Sequence, residues 1–333
     1  MAGTILITGA NGSLAMPAVH RLLSESPKYT LLLTVRNLSA TDTNTEKLRQ
    51  IISHFPEKSA LLRQLDLADL TAVHNFADSI AADVTAARLP ALAGIVCNAY
   101  YWNLNGPVEL TSDGFEKTFQ VNHLSHAALV LRLLGSFDPA GGRVVLFASD
   151  AHWPGKNKLE KQSPAIPDTM ELLVKPPADP TDDRFGWGFQ RYANSKLAII
   201  MWMYALNRYL EKDPKLNHIV AVAINPGNLS DSRALRTNTP QMLNYLSRFV
   251  IQPLRPLLKF TDPTMRTASE AAKDVADLAS GRAHDGERGY FTLLKKDDSA
   301  PESKDKDKQQ ILWNKTLEWT KIVKGNTALQ FVF

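Results

Sequence analysis

Apolar runs of strand length recur along the chain at intervals that leave room for a helix between them. Each run is almost continuously apolar, which is typical of strands in a parallel sheet covered on both faces. The runs are TILITG (4–9), YTLLLTVR (29–36), LLRQLDL (61–67), LAGIVCNA (92–99), GRVVLFAS (142–149), HIVAVAINPG (218–227) and GYFTLL (289–294). Helical patterns lie between them, for example over 115–137 and 192–213. The alternation predicts an α/β fold, a doubly wound parallel sheet of about seven strands that residues 1–333 form as one domain.

The first apolar run leads directly into TGANGSLA, residues 8–15, and then into a helical pattern. A strand, a glycine-bearing turn and a helix begin a dinucleotide-binding unit, in which the pyrophosphate lies at the helix N-terminus. Only Gly9 and Gly12 are glycines here, and Ala15 stands where a third glycine is common. By itself the motif is weak evidence for nucleotide binding.

Three stretches depart from the alternation. Residues 153–190 are rich in proline and polar residues and are interpreted as an insertion. Residues 228–265 contain a helix-prone apolar run interrupted by Pro253 and Pro256; they are interpreted as a substrate lid or, alternatively, as a pair of packed helices. Residues 295–309 are highly charged and are expected to form a surface loop before a C-terminal amphipathic helix.

Composition argues against several classes of protein. With 44% hydrophobic and 22% charged residues in a chain of 333, a sizeable core can form. A net charge of +4, without a basic run interleaved with aromatics, argues against nucleic acid as a partner. The single cysteine, Cys97, excludes an internal disulfide and favours a reducing compartment. No secretory leader is evident, and the longest apolar stretch, 197–206, is about half of a membrane span. We therefore expect a cytoplasmic protein without stable membrane insertion.

Tyr192 and Lys196 lie four residues apart at the predicted start of a helix, so both side chains project from one face. A phenol is a poor acid or base at pH 7 because its pKa is about 10, and an ammonium group one turn away lowers that pKa. Ser149, at the end of the fifth strand, can hold a substrate oxygen beside the phenol. Asn122 is a polar residue within an otherwise apolar helical pattern.

These motifs, taken in order, resemble the short-chain dehydrogenase/reductase family over nearly the whole chain. They are TGANGSLA (8–15), DL (66–67), CNA (97–99), VNH (121–123), VVLFAS (144–149), YANSK (192–196) and NPG (225–227). The resemblance implies a Rossmann-type fold and a catalytic set of Asn122, Ser149, Tyr192 and Lys196. It makes Tyr192 the proton donor in reduction and Ser149 the group that polarises the carbonyl. Lys196 would bind the nicotinamide ribose and lower the phenol pKa, and Asn122 would help to hold a water in a proton relay.

The same resemblance implies a cofactor site at the ends of the strands. The expected cofactor-binding residues are Gly9, Asn11, Gly12, Ser13, Leu14, Arg36, Asn37, Asp66, Leu67, Asn98, Ala99, Tyr192, Lys196, Pro226, Gly227, Asn228, Leu229 and Ser230. An acidic residue at the end of the second strand favours NAD, whereas a basic residue suits the 2′-phosphate of NADP. Arg36 occupies this place, and the first carboxylate after it is Asp42, so NADP(H) is the expected cofactor.

The chain departs from the family's patterns at several positions. Against TGxxxGxG, Ser13 and Ala15 replace glycines, whereas TGxxGxxG leaves only Ala15 different. Tyr100 stands where the family usually has glycine, and Asp231 where a threonine is usual. A carboxylate against the pyrophosphate is unfavourable, so we expect a serine or Asn228 to make that contact. The long insertion before the catalytic tyrosine is expected to cover the helix face used for dimerisation, which favours a monomer or weak dimer.

The histidines near these motifs have simpler interpretations. His152 follows Ser149 by three residues, but no G-x-S-x-G elbow surrounds that serine, so a pocket-lining or structural histidine is favoured over a hydrolase. His123 and His126 lack a metal-like partner set and are expected to pack in the core. No metal site is predicted.

The leading hypothesis is an NADPH-dependent oxidoreductase of secondary metabolism that reduces a ketone or aldehyde, or oxidises the alcohol. Two sets of residues favour a hydrophobic small molecule, aromatic or polyketide-like. They are the apolar run 241–260 and the aromatic residues Tyr100, Tyr101, Trp102, Trp153 and Trp187. Two alternatives stay open: a redox-neutral dehydratase, epimerase or cyclase that uses the same tyrosine, and a non-catalytic regulator that senses NADP.

Overall fold

An eight-stranded sheet forms the centre of the computed structural model, which describes residues 3–25, 28–57, 59–180 and 183–330. The strands are β1 Gly3–Ile7, β2 Tyr29–Val35, β3 Ala60–Gln64, β4 Leu92–Cys97, β5 Gly142–Phe147, β6 Ile219–Asn225, β7 Gly289–Thr292 and β8 Lys295–Lys296. Their order across the sheet is β3-β2-β1-β4-β5-β6-β7-β8. β1 to β7 pair in parallel, and β8 pairs antiparallel with β7.

The seven parallel strands coincide with the seven apolar runs, except that β1 and β3 each begin one residue earlier, so the predicted doubly wound sheet is confirmed. β8 was not predicted, because two consecutive lysines carry no strand pattern. From β1 the chain first builds outward through β2 and β3 and then crosses to β4 on the other side. This reversal opens a crevice at the carboxyl ends of β1 and β4, where ligands bind in such sheets.

Helices flank the sheet and bury its two faces. They are α1 Ala15–Glu25, α2 Thr43–Ser53, α3 Leu70–Thr85, α4 Lys117–Phe119, α5 Ser125–Leu133, α6 Glu171–Val174, α7 Arg184–Lys212, α8 Gln241–Leu246, α9 Gln252–Leu258, α10 Ala268–Ala279 and α11 Lys306–Trp319. Along β1, Ile5 and Ile7 pack in the core cluster formed with α1 and α10, whereas Leu6 packs in the cluster of α3, α5 and α7. Because side chains alternate along a strand, both faces of the sheet are apolar, which explains the continuous apolar runs.

The helix that carries Tyr192 and Lys196 begins earlier than predicted. Asp183 caps it by accepting a hydrogen bond from the Gly186 N–H at 3.0 Å, so α7 starts at Arg184. Tyr192 and Lys196 therefore lie inside a 29-residue helix and not at its start. The earlier helical turns hold both side chains rigidly. They were not predicted, because the sequence before Tyr192 is polar and contains glycine.

Residues 241–258 run as one continuous helical segment, not as a pair of packed helices. α8 passes through a π-helical turn, Ser247–Ile251, directly into α9. Pro253 directly follows the π-helical turn, where the regular i→i−4 hydrogen bonds are already interrupted, so the proline does not end the helix. The ends of the longer segment 228–265 lie side by side: the Asn228 N–H donates to the Thr264 carbonyl, and the Arg266 N–H donates back to the Asn228 carbonyl.

Residues 295–309, expected as a charged surface loop, are more ordered than that. They contain β8, a 3₁₀ turn over Pro301–Lys304 and the first turn of α11. Ala300 and Ser303 are buried, because small residues between the charged ones face inward. Within the part of the chain that the structure describes, no helix is long and apolar enough to cross a membrane.

The predicted insertion 153–190 ends earlier than expected, because residues 184–190 belong to α7; the part before that helix packs partly against it, and residues 181 and 182 lie outside the described residues. Ile166, Met170 and Leu173 are buried against Leu197 and Met201 of that helix. On another part of α7, the Trp202 ring stacks on the Trp313 ring of α11 with centroids 5.8 Å apart. The chain's own residues therefore cover much of the surface of α7.

Candidate active site

A cavity of about 1320 Å³ opens at the carboxyl ends of the parallel strands. This exceeds the ~300–1,000 Å³ typical of small-ligand pockets and leaves room for a dinucleotide and a second molecule. All eighteen residues expected to bind the cofactor line it. Of the four expected catalytic residues, Ser149, Tyr192 and Lys196 line the cavity, whereas Asn122 lies behind its wall.

The glycine turn after β1 is locked against the end of β4. Gly9 has φ +61°, and a Cβ at this position would lie 2.9 Å from the Ala99 Cβ, so only glycine fits. The Asn98 amide donates to the carbonyls of Thr8 and Gly9 at 3.0 and 3.1 Å, and the Ala99 N–H donates to the Thr8 hydroxyl. The turn is thereby held open toward the cavity, as a phosphate-binding turn requires.

Arg233 is a functional candidate that sequence reasoning missed. Its Nε and backbone N–H both donate to Ser13 Oγ at 3.1 Å, and its Nη2 donates to the Asn11 carbonyl at 2.5 Å. The Ser13 hydroxyl hydrogen remains available to a phosphate. Arg233 thus places a guanidinium beside the glycine turn from a loop more than two hundred residues away in the sequence. Only that spatial proximity, which no local motif encodes, identifies it.

Arg36 and Asp42 line the cavity in the segment that follows β2. Arg36 is exposed to the cavity, and its guanidinium has no hydrogen-bond acceptor among the described residues. Asp42 also lines the cavity, but its carboxylate caps α2 by accepting from the N–H groups of Asn44 and Thr45. Those backbone bonds, the Thr45 bond above all, lower the pKa of Asp42 and keep it ionised. The open cation is therefore Arg36, and the nearby carboxylate is already engaged.

Asp231 points away from the cavity. Its carboxylate accepts a hydrogen bond from the Ala268 N–H at 2.8 Å, at the N-terminus of α10, where the helix dipole favours a negative charge. Ser230 and Asn228 line the cavity instead. The departure from the family's threonine therefore puts no carboxylate against a phosphate.

Tyr192 and Ser149 form the reactive end of the cavity. The Ser149 hydroxyl donates to Asp150 Oδ1 at 3.1 Å, and the Trp102 ring packs edge-on against the Tyr192 ring with centroids 5.1 Å apart. Burial raises the pKa of Tyr192 above its usual value, and the nearby Ser149 hydroxyl only partly offsets this effect. The spacing of Tyr192 and Lys196 predicts a lowered phenol pKa. The difference arises because desolvation of the phenolate outweighs the other effects.

Lys196 is buried beneath Tyr192. Its Nζ donates to the Phe147 carbonyl at 2.9 Å and lies 5.5 Å from the centre of the Tyr192 ring. Burial lowers the pKa of Lys196 to about 7, because the ammonium group has lost most of its solvation. A lysine with this pKa can hold or release a proton near neutral pH.

Asn122 positions the wall of the cavity rather than reaching into it. It lies in a π-helical turn, Gln120–Leu124, a local widening often found at functional sites. Its Oδ1 accepts from the Tyr101 N–H at 2.7 Å, and its Nδ2 donates to the Tyr101 carbonyl and to Ser195 Oγ. Asn122 therefore joins the segment after β4 to the helix that carries Tyr192.

His123, His126 and His152, the three histidines near the site, are buried, and their contacts serve to hold the structure together. His152 Nδ1 donates to the Ser149 carbonyl at 2.5 Å, and its Nε2 accepts from the Ala300 N–H at 3.1 Å, which fixes the neutral tautomer. His126 bridges the Thr8 hydroxyl and the Asn122 carbonyl. Burial lowers the pKa of His123, His126 and His152 to about 3, 4 and 4. Among the described residues no cluster of potential metal ligands occurs.

The substrate end is partly aromatic and partly aliphatic. Tyr100, Tyr101 and Trp102 line it on one side, but Trp153 and Trp187, also expected there, do not. Tyr100 is 42% exposed, and its ring packs edge-on against Trp102 with centroids 6.2 Å apart. The opposite side is formed by Leu243, Ile251 and Leu258 of the α8–α9 segment.

Two family models and several known proteins match this chain. Residues 3–160 match the family model described as short chain dehydrogenase, and residues 233–329 match one described as AcuH dehydrogenase domain. The short-chain dehydrogenase iccH of Talaromyces variabilis is 30% identical over 366 aligned positions, which cover 98% of each chain. The dehydrogenase acuH of Aspergillus aculeatus is 56% identical over 92 residues, which are 28% of this chain and 94% of that protein.

The fold also resembles solved structures. The NADPH-bound carbonyl reductase from chicken fatty liver superposes with a TM-score of 0.58 at 15% identity, covering 90% of this chain and 99% of that one. At that identity the likeness shows the fold alone.

Proposed function

The chain belongs to the short-chain dehydrogenase/reductase family of oxidoreductases, and from that membership we propose that it is an NADPH-dependent carbonyl reductase. Its substrate would be a ketone or aldehyde of a hydrophobic small molecule of secondary metabolism, or the corresponding alcohol when the reaction runs in reverse. The observation that carries the proposal is the placement of Tyr192, Ser149 and Lys196 at one end of a cavity whose other end holds Arg36 and the glycine turn.

The described residues fit a dinucleotide. Gly9 keeps the turn free of a side chain, and Arg233 and the Ser13 hydroxyl flank the place where a diphosphate would lie. We assign Arg36 to the 2′-phosphate, because its guanidinium is exposed and has no acceptor in the described chain. Asp42, which would otherwise suit a ribose hydroxyl, is engaged in capping α2.

The chemistry follows from the states of the two central side chains. When bound in this cavity, NADPH would supply a hydride for the carbonyl carbon. Tyr192 gives its phenolic proton to the carbonyl oxygen, so one hydride and one proton convert C=O to CH–OH. The raised pKa keeps the phenol protonated until the oxygen becomes strongly basic. Ser149 orients the phenol, and Lys196, with a pKa of about 7, can return a proton to it.

The oligomeric state in solution is inferred from the covering of α7 by other parts of the chain. Because the insertion and α11 pack on α7, we propose that the protein is a monomer or weak dimer. We also propose that it acts in the cytoplasm, where the free thiol of buried Cys97 would stay reduced.

The test is to measure the oxidation of NADPH by the purified protein in the presence of a panel of apolar ketones and aldehydes. Tyr192→Phe should lower turnover by roughly 100-fold or more while NADPH still binds. Tyr204→Phe is the matched control, since Tyr204 lies on the same helix but bonds Ser299 outside the cavity. Full turnover by Tyr192→Phe would refute the mechanism. NADPH binding without consumption across the panel would favour the regulator, and a product at an unchanged oxidation level the redox-neutral enzyme.

A further inference from the structure

The α8–α9 segment exposes an unusual amount of apolar surface. Of the fourteen large apolar side chains exposed in the described part of the chain, eight lie between positions 242 and 260. They are Met242, Tyr245, Leu246, Phe249, Val250, Leu254, Leu257 and Phe260. Phe260 is 86% exposed, and the Tyr245 and Phe249 rings stack on each other at 5.9 Å. A concentration of this kind marks an interaction surface, whereas single exposed apolar residues do not.

This apolar surface is accompanied by positive charge only. Residues 241–260 contain Arg248, Arg255 and Lys259 and no aspartate or glutamate. Arg255 and Lys259 are four residues apart and share one side of α9, whereas Arg248 lies in the π-helical turn before it. Lys259 pairs with Glu270 of α10 at 3.2 Å, an exposed ion pair, while Arg248 lies over the Phe249 ring. The segment has the pattern of a helix that lies in the plane of a membrane interface.

The inner side of the same segment is a wall of the cavity. Leu243, Ile251 and Leu258 line the cavity, and Ser247 is buried. The segment therefore separates the candidate substrate site from the outside by the thickness of one helix. Both ends of the loop that carries it are held by the hydrogen bonds between Asn228 and residues 264–266.

The charges decide between possible occupants of the surface. A second copy of the chain on a two-fold axis would bring the same cations face to face without a carboxylate from either segment. An anionic lipid surface complements both the cations and the apolar stripe. We propose that the α8–α9 segment docks the protein peripherally on anionic membranes, with the Phe249–Phe260 side in the lipid interface and the cavity wall next to it. The proposal does not depend on the reaction proposed above.

Vesicle flotation tests the proposal directly. The full chain should float with vesicles of phosphatidylcholine mixed with phosphatidylserine and much less with phosphatidylcholine alone, and added salt should weaken the binding. Arg248→Gln with Arg255→Gln and Lys259→Gln should reduce binding on the order of 100-fold, from about fivefold per cation. Phe249→Ser with Leu257→Ser and Phe260→Ser should reduce it at least about tenfold.

Matched variants elsewhere on the surface distinguish docking through the α8–α9 segment from nonspecific binding to vesicles. Leu172→Ser with Ile311→Ser and Val323→Ser removes three other exposed apolar side chains and should leave vesicle binding unchanged. Lys47→Gln with Lys306→Gln and Lys324→Gln removes the same number of exposed cations outside the segment. Thermal unfolding of each variant checks that it is folded.

A fluorescent label gives a second readout. Because Cys97 is buried, a cysteine introduced as Phe249→Cys can be labelled selectively with a polarity-sensitive dye and should shift to the blue on anionic vesicles. The label at Ile311→Cys should not shift. Equal binding by the segment variants and the controls, or no binding to anionic vesicles, would overturn the proposal. So would a concentration-dependent dimer that the segment variants convert to monomer, since the surface would then belong to a second copy.

Discussion

The Nε of Arg233 donates to the Ser13 hydroxyl oxygen at 3.1 Å, which ties the loop after β6 to the glycine turn after β1. The same guanidinium reaches the Asn11 carbonyl. Two segments far apart in the sequence therefore form one polar surface, and a positive charge stands where the turn presents its N–H groups. The two arginines of the cavity lining therefore occupy different places: Arg233 lies at the glycine turn, and Arg36 lies at the end of β2.

Arg233→Ala should weaken the binding of NADPH and NADH alike. The diphosphate is common to both nucleotides, and hydrogen bonds to a charged group contribute about 1.5–3 kcal/mol, which corresponds to roughly 10- to 100-fold in Kd. Titration of the purified protein followed by nucleotide fluorescence measures both affinities. Arg236→Ala is the control, since Arg236 lies on the same turn but outside the cavity lining. A loss confined to NADPH would place Arg233 at the 2′-phosphate instead.

Arg36→Ala should weaken NADPH binding by about tenfold or more and leave NADH binding nearly unchanged, because only NADPH carries the 2′-phosphate. The same titration gives the ratio of the two Kd values. Arg233→Ala, with its opposite pattern, serves as the control. If Arg36→Ala changed neither affinity, the assignment of the cofactor as NADP(H) would lose its main support.

The stability of the nucleotide-free protein should rise with pH above neutrality because of Lys196. Its pKa is about 7 in the folded protein and 10.5 ordinarily, so between these values unfolding takes up a proton and a higher pH favours the folded state. Below pH 7 the lysine is protonated in both states, and the full cost of its burial is present.

Urea unfolding at a series of pH values measures this effect. The free energy of unfolding of the wild type should increase relative to that of Lys196→Met as the pH rises from about 7 toward 10. Lys212→Met, at the exposed end of the same helix, should run parallel to the wild type. A constant difference between the wild type and Lys196→Met over this range would contradict the lowered pKa.

Gly9→Ala should destabilise the protein more than Gly155→Ala. Both glycines have positive φ, which costs an alanine roughly 1–2 kcal/mol. A Cβ at Gly155 meets nothing within 4 Å, whereas one at Gly9 meets Ala99 at 2.9 Å, which should add about 1–3 kcal/mol. Denaturant unfolding of the two variants gives the comparison. Equal losses would mean that the turn can move away from β4.

The sequence predicted those parts of the molecule that repeat a local pattern. The seven parallel strands could be identified because burial on both faces leaves continuous apolar runs. Tyr192, Lys196 and Ser149 could be brought together because a helix spacing and a strand end fix where each side chain lies. The eighteen expected cofactor-binding residues line one cavity for the same reason, since all but Tyr192 and Lys196 follow strand ends of a parallel sheet.

The remainder depends on contacts between distant segments. Arg233 has no motif, and only the folded loop brings it to Ser13. The direction of the Tyr192 pKa shift depends on burial, which a spacing of four residues does not express. The continuity of α8 and α9 depends on the π-helical turn before Pro253, and the inward position of Ala300 lies within a sequence dominated by charge.

His152 connects the C-terminal part of the chain to Ser149 at the cavity. Its ring connects the Ser149 carbonyl to the Ala300 N–H, 148 residues further along the chain. When β1 to β7 have left the ribosome, Ala300, whose N–H holds this ring, has therefore not yet emerged. The nascent protein can pair β1 to β6 earlier, but the last two strands and the geometry around Ser149 are completed only when about the last tenth of the chain emerges.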